Sequence, residues 1–172
     1  RAPGGHQRIV VGEVLRAFEP LLRRIVGPRI RVELQEDPAP EPVRCSRVEL
    51  EQVVLNLVVN ARDAMPSGGR IKLTVRPVAE AGDAGGPSLG PGVEVEVSDD
   101  GAGMDAATRD RVFEPFFTTK PRGEGTGLGL SSSRGIARRL GGDLTVESAP
   151  GRGSVFRLRL PYAVVEAGGA AS

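Results

Sequence analysis

The sequence predicts an α+β fold, with helices laid on one face of a mixed sheet. Three observations lead there. Helically spaced apolar stretches alternate with strand-like runs that lie next to one another in the chain. The strongest helix opens on a capping box, Ser46 with Glu49 three residues later. The last two strand-like runs are joined by Ser148-Ala-Pro-Gly-Arg-Gly153, which has the chemistry of a hairpin turn.

Taken in order, residues 1–7 are rich in Gly and Pro and read as a loose lead-in. Val10, Val14, Leu15, Phe18, Leu21, Leu22 and Ile25 then recur at roughly helical spacing, predicting a helix over 11–26 with a possible kink at Glu19-Pro20. Ile30, Val32 and Leu34 alternate as a strand, and the prolines of 37–42 form a stiff connection. The capping box opens a helix over 46–65 that Pro66-Ser-Gly-Gly69 stops. Strands follow at 71–75 and 93–97, separated by a Pro/Gly-rich loop over 77–92. Residues 98–125 read as a long loop holding one short helix near 105–112, and loops of that length are usually functional lids or disordered. A helix ending near Leu140 and the hairpin strands 144–146 and 155–160 complete the pattern.

Composition narrows the function classes. Net charge is +1, with acidic and basic residues interspersed, so no nucleic-acid surface is expected. The single cysteine, Cys45, excludes an internal disulfide and a cysteine-based zinc cluster. No apolar run approaches the roughly 18 residues of a membrane span, so no direct membrane contact is expected and the location reads as cytoplasmic. The tail over 166–172 is too poor in apolar residues to dock.

The chemistry is concentrated in four stretches. Gly123-Glu-Gly-Thr-Gly-Leu-Gly-Leu-Ser131 places glycines at alternate positions before a helix, a backbone that can close around phosphate and add a helix N-terminus to it. A plain turn would use the same residues. Asn56 and Asn60 stand four apart in an otherwise apolar helix, on one face, with Asp63 a turn further. Each amide either bonds to backbone or meets a hard cation such as Mg²⁺ that nucleotide phosphates also hold. A strand runs into Asp99-Asp-Gly101-Ala-Gly103, which forms either a turn or a pocket where Asp99 accepts from the adenine amine. Phe113-Glu-Pro-Phe116-Phe117-Thr-Thr-Lys120 holds three of the chain's five phenylalanines, as core satellites or as a lid that carries Lys120 to a phosphate.

These stretches, in this order, resemble the N, first glycine, F and second glycine boxes of sensor histidine kinases. The resemblance covers residues from about 10 to 161. It implies the Bergerat ATP-binding fold, a two-layer sandwich of a mainly antiparallel mixed sheet and three main helices. Arg62-Asp-Ala-Met-Pro66 and Phe116-Phe-Thr-Thr-Lys120 resemble the wording of nitrogen-regulator and PAS-linked kinases. By the same resemblance Asn60 coordinates Mg²⁺, with Asn56 supporting the metal or the attacking geometry. Asp99 binds adenine within a pocket shaped by Gly101 and Gly103. Lys120 and the segment Gly125, Thr126, Gly127, Leu128, Gly129 and Leu130 hold phosphates, and Asp63 joins this ATP-binding set. Ser154 occupies the place of a Ser or Thr that helps hold the aspartate and adenine through water.

Two absences bear on mechanism. Related chaperone and topoisomerase ATPases carry a Glu as general base four residues before the metal-binding Asn, where this chain has Asn56. Asn cannot take a proton at neutral pH, so poor hydrolysis and transfer to an external nucleophile are expected. The one histidine, His6, lacks the Ser-His-Glu context of the family's acceptor and reads as linker. The expected organisation is therefore a linker over 1–9 from an upstream dimerisation and phosphoacceptor domain, a catalytic domain over 10–161 and a flexible tail over 162–172. The expected partners are ATP, that histidine domain and a response regulator receiver domain. A nucleotide sensor without catalysis, and a serine kinase acting on an anti-anti-sigma partner, are the competing readings. A P-loop is excluded because no Gly-Lys-Ser/Thr ends the glycine run.

Overall fold

The computed structural model describes residues 5–37, 41–79, 90–123 and 125–163. Their elements run β1 (Gln7–Ile9), α1 (Val11–Val26), β2 (Ile30–Glu36), β3 (Val43–Cys45), α2 (Arg47–Asp63), β4 (Gly69–Val78), β5 (Gly92–Asp99), α3 (Ala106–Arg111), α4 (Gly129–Arg139), β6 (Asp143–Ser148) and β7 (Ser154–Pro161). The main sheet has the order β2-β4-β5-β7-β6. β2 and β4 are parallel, and every other pair in it is antiparallel. This is the expected α+β sandwich with α1, α2 and α4 as its main helices.

Alternation decides which face of the sheet the helices cover. Ile71, Leu73 and Val75 of β4, Val93, Val95 and Val97 of β5, and Phe156, Leu158 and Leu160 of β7 are all buried. Their register partners stack into one apolar layer. α2 answers it with Leu50, Val53, Val54, Leu57, Val58 and Ala61, spaced at three and four residues and all buried. Burial of each such side chain contributes on the order of 1.5–3 kcal/mol. The capping box fixes where α2 starts: the Glu49 N–H donates to Ser46 Oγ at 3.1 Å, and the Ser46 N–H donates to Glu49 at 3.4 Å. α2 touches both α1 and α4 as well as β4 and β5, so its polar stripe faces the edge of the sandwich where the remaining loops gather.

The structure departs from expectation at three places. Gln7–Ile9, at the end of the stretch read as loose, is a strand that pairs antiparallel with β3. Tyr162 bridges to Val43, joining the chain's two ends to this small second sheet. Three-residue strands are too short to show a period, and so left no trace in the alternation. Secondly, although α1 has the expected bounds, Val11–Val26, it runs through Pro20 without a break in the helix. Both Pro20 and Arg16, whose carbonyl loses its helical partner there, lie on the exposed side. Thirdly, β4 extends to Val78. Residues 80–89 of the loop, 38–40 of the proline connection, and the tail from 164 lie outside the described residues. No helix among the described residues is long and apolar enough to cross a membrane.

Candidate functional site

The polar stripe of α2 starts at Asn56. Both hydrogens of its amide are used on α4: Nδ2 donates to the Gly129 carbonyl at 3.3 Å and to Ser133 Oγ at 3.0 Å. Ser133 is fully buried and donates in turn to the Gly129 carbonyl at 2.8 Å. Asn56 is thereby held with its amide oxygen uncommitted. One turn on, Asn60 is half-buried and enters no side-chain hydrogen bond among the described residues. Two hard oxygen donors therefore stand along one helix face. Among the described residues no group of three His, Cys, Asp or Glu could cage a metal alone. This donor set suits Mg²⁺ shared with phosphate oxygens better than a dedicated protein-only site.

Asp63 ends the stripe. Its Oδ1 accepts from Arg62 Nε and Nη2 at 3.1 Å each, and its Oδ2 accepts from Lys120 Nζ. Burial disfavours the charge, but the hydrogen bonds and positive charges of Lys120 and Arg62 hold its carboxyl below the usual range. The Asp63–Lys120 pair lines a cleft of about 860 Å³, together with Val26, Ile30, Met65, Pro66, Thr119 and Pro121.

Asp99 sits at the end of β5 and is 5% exposed. The Gly101 N–H donates to its Oδ1 at 2.8 Å, and the Ser154 N–H lies in register across from it on β7. Burial pushes this carboxyl above its ordinary range and the Asp100 charge adds to that, with the two N–H groups working against them. The glycines around it are demanded by contact. A Cβ on Gly101 would come within 2.7 Å of Asp99 Oδ1 and 2.8 Å of Ala64 Cβ. Gly103 has φ 71°, and its Cβ would lie 2.0 Å from the Ala149 carbonyl oxygen.

The second glycine stretch and the phenylalanine stretch are tied to each other. The Phe116 N–H donates to the Gly127 carbonyl at 2.9 Å, and both residues have positive φ. Phe113 meets Phe156 edge to face, with ring centroids 6.3 Å apart, while Phe116 is 75% exposed. Phe113 is thus anchored on the core while Phe116 stands clear of it. Gly125 lies against the stem of Lys120, where a Cβ would be 2.9 Å from Cδ. Thr126 Oγ1 accepts from the Leu128 N–H at 3.3 Å, and α4 begins at Gly129 and Leu130.

A ring of contacts thus links all four stretches. Asp99 holds Gly101, Gly101 abuts Ala64 at the end of α2, and neighbouring Asp63 holds Lys120. Phe116 of the same segment holds Gly127, and Gly129 returns to Asn56. Three residues in this arrangement escaped the sequence reading. Ser133 fixes Asn56, and only its place in a Ser run on a helix could have flagged it. Ser148 accepts from the Met104 N–H at 2.8 Å and donates to the Gly153 carbonyl at 2.8 Å. With its one proton spent there, Ser148 receives the hydroxyl hydrogen of Ser154 at 3.0 Å. Arg134 pairs with Asp143 and lies over the Phe113 ring at 4.8 Å.

Two other reactive residue types stand apart from the ring. The Cys45 thiol is buried and pushed up to about 11 by burial and the Glu49 charge, so it is no nucleophile at neutral pH. His6 faces the capping-box Glu49, its Nε2 3.2 Å from Oε2, at the start of α2.

Residues 45–164 match the family model of histidine kinase-, DNA gyrase B- and HSP90-like ATPases. The chain is 42% identical over 158 residues to the sensor kinase CckA of Brucella abortus, covering 90% of this chain and 17% of that protein. It is 41% identical over 163 residues to the two-component sensor PprA of Pseudomonas aeruginosa, covering 89% and 17%. Among solved structures, the mycobacterial sensor histidine kinase MprB superposes with a TM-score of 0.71 at 28% identity, covering 91% of this chain and 97% of that one. Full-length ShkA in complex with AMPPNP superposes with a TM-score of 0.70 at 26% identity, covering 93% and 32%.

Proposed function

The chain belongs to the histidine kinase-, DNA gyrase B- and HSP90-like ATPase family, and on that premise we propose that it is the ATP-binding catalytic domain of a sensor histidine kinase. It binds Mg-ATP and transfers the γ-phosphoryl group to a histidine on a separate dimerisation domain, from which a response regulator receiver domain takes it. Its wording at Arg62 to Pro66 resembles that of the nitrogen-regulator and PAS-linked kinases and supports that type. The observation that carries this reading is the closed ring of contacts from Asp99 through Gly101, Ala64, Asp63, Lys120, Phe116, Gly127 and Gly129 back to Asn56. The complex of ShkA with AMPPNP, an ATP analogue, supports the choice of nucleotide.

In this reading the Asp99 carboxylate, oriented by the Gly101 N–H, accepts from the adenine amine, and Gly101 leaves the base room to approach. Lys120 and the backbone from Gly125 to Leu130 receive the phosphates at the start of α4. Asn60, supported by Asn56, would hold Mg²⁺, which when bound draws charge from the phosphate oxygens. Asn56 supplies no base, and an imidazole acceptor needs none at the outset because it attacks through a nitrogen lone pair. The new P–N bond forms as the bond from the γ-phosphorus to the bridging oxygen breaks, and ADP leaves with that electron pair. What the chain contributes is positioning and charge stabilisation. A water nucleophile, which must lose a proton, gains no comparable help.

The test is transfer to a supplied partner. With labelled Mg-ATP and the helical histidine domain of a relative, the acceptor histidine should take label while His6 takes none. Hydrolysis by the chain alone should stay far below one turnover per second. Turnover at many per second, or label confined to His6, would sink the reading. Binding without transfer to any histidine domain would favour a nucleotide sensor.

A further inference from the structure

We propose that Asp63 is a latch for Lys120 that competes with the phosphates of the nucleotide, so that phosphate entry exchanges one anionic partner of Lys120 for another. The inference rests on the nucleotide-binding reading above. It alters the role of Asp63 within that reading.

A carboxylate offers acceptors alone, as does a phosphate, so Asp63 cannot hold a phosphate directly. Its oxygens are already occupied by the chain's own cations: Arg62 Nε and Nη2 at 3.1 Å on one oxygen, Lys120 Nζ on the other. It stands one turn beyond Asn60, at the end of the stripe where phosphates and metal would lie. Bringing phosphates to Lys120 therefore brings like charge towards Asp63. The lysine is also braced from its own segment. Its N–H donates to Thr118 Oγ1 at 3.1 Å, and its stem lies where a side chain on Gly125 would be. With Lys120 on Asp63, residues 119–121 line the same 860 Å³ cleft as Met65 and Pro66. The pair thus ties the phenylalanine segment to the last turn of α2, and the same lysine is needed elsewhere for phosphate.

Calorimetric titration of the Asp63→Asn chain with Mg-ATP, ADP and adenosine tests this, with thermal melts to confirm folding. Release of a half-exposed pair of this kind should tighten ATP and ADP about two- to fivefold at low salt. The gain should shrink at high ionic strength, and adenosine, which lacks phosphates, should bind as to the unaltered chain. In the double variant with Lys120→Gln the gain should vanish. Weaker ATP binding in Asp63→Asn would show that the carboxylate orients Lys120 for phosphate, and would overturn the latch. Equal tightening of adenosine would overturn it too. Failure of the unaltered chain to bind ATP would remove the nucleotide-binding reading itself, whereas normal binding with no gain in the variant removes the latch alone.

Discussion

Asp99 and Ser154 face each other in register across β5 and β7, and the Ser154 hydroxyl is bonded to Ser148 rather than to the carboxylate. The donor on the carboxylate is the Gly101 N–H, which acts independently of the Ser154 side chain. In Asp99→Asn, the amide oxygen would turn towards the Gly101 donor and leave its NH₂ facing the adenine amine. Two opposed donors cost about 1–3 kcal/mol, a loss of about 10–100-fold in ATP affinity by titration. Unchanged affinity would show that Asp99 does not read the base.

The same carboxyl gives a pH signature. Its pKa is raised in the folded chain by burial and then Asp100, against the pull of Gly101 and Ser154. Its effect on stability is thus favourable below the unfolded pKa and lost as pH rises through the folded value. Adenine binding runs the opposite way, because the ionised form is the acceptor. ATP affinity should fall on acidification at a pH above the ordinary carboxylate range, and the Asp99→Asn chain should lack that step.

Glu94 poses the converse case on the far face of the sheet. It has 0% exposure, with Arg76 Nε at 2.9 Å on one oxygen and Arg159 Nε at 2.7 Å on the other. Burial works against its charge, yet the hydrogen bonds and charges of Arg159 and Arg76 hold its carboxyl below the usual range. Its contribution to stability is present above the unfolded pKa and is lost as pH falls through the depressed folded value. Glu94→Gln should cost about 1–3 kcal/mol in urea unfolding at neutral pH, since two guanidiniums lose a charged acceptor but keep water. ATP affinity should not follow, because the residue stands on the face away from α2 and α4. A parallel loss of affinity would mean that this face communicates with the site.

How much of this was legible in the sequence follows from the length of the signal each element carries. α2 announced itself by a capping box and an i, i+3 and i+4 pattern from Leu50 to Ala61, and the structure realises both. β1 and β3 have three residues each and depend on pairing with one another, which no local pattern encodes. The same holds within the site. Asn56, Asn60 and Asp99 stood out as polar residues where apolar ones were due. Ser133, Ser148 and Arg134 looked ordinary, because their partners lie up to 77 residues away in the chain. The Lys120 to Asp63 pair spans 57 residues and joins two stretches that sequence could identify singly but not connect.

Asn60 supplies a prediction about metal. Its amide enters no other side-chain hydrogen bond among the described residues, so Asn60→Ala should leave the fold intact within about 1 kcal/mol. The variant should lose the Mg²⁺-dependent part of ATP affinity, so that titrations with Mg²⁺ and with excess chelator converge. Asn56→Ala should behave differently, because its amide bonds hold α2 to α4 and its removal leaves the buried Ser133 hydroxyl short of a partner. A melting temperature lowered for Asn56→Ala and preserved for Asn60→Ala would separate the supporting amide from the metal-facing one. The reverse order would assign the structural role to Asn60.

Gly127 tests whether the glycine stretch is a phosphate cradle or a turn. Its φ of 68° lies in the left-handed region, and a Cβ would come within 2.5 Å of the Phe116 carbonyl carbon. Alanine therefore meets two costs: about 1–2 kcal/mol for the backbone conformation, and a backbone contact that no side-chain rotation can relieve. The strand-like bond from Phe116 to Gly127 is the nearest thing that can give. Its loss would free the phenylalanine segment from the start of α4, where the backbone would otherwise meet phosphate. Because that segment makes few core contacts beyond Phe113, the melting temperature should change little while ATP affinity falls about tenfold or more. Adenosine affinity, which depends on Asp99 and Gly101, should be nearly retained. Intact ATP affinity in Gly127→Ala would return the stretch to being an ordinary turn.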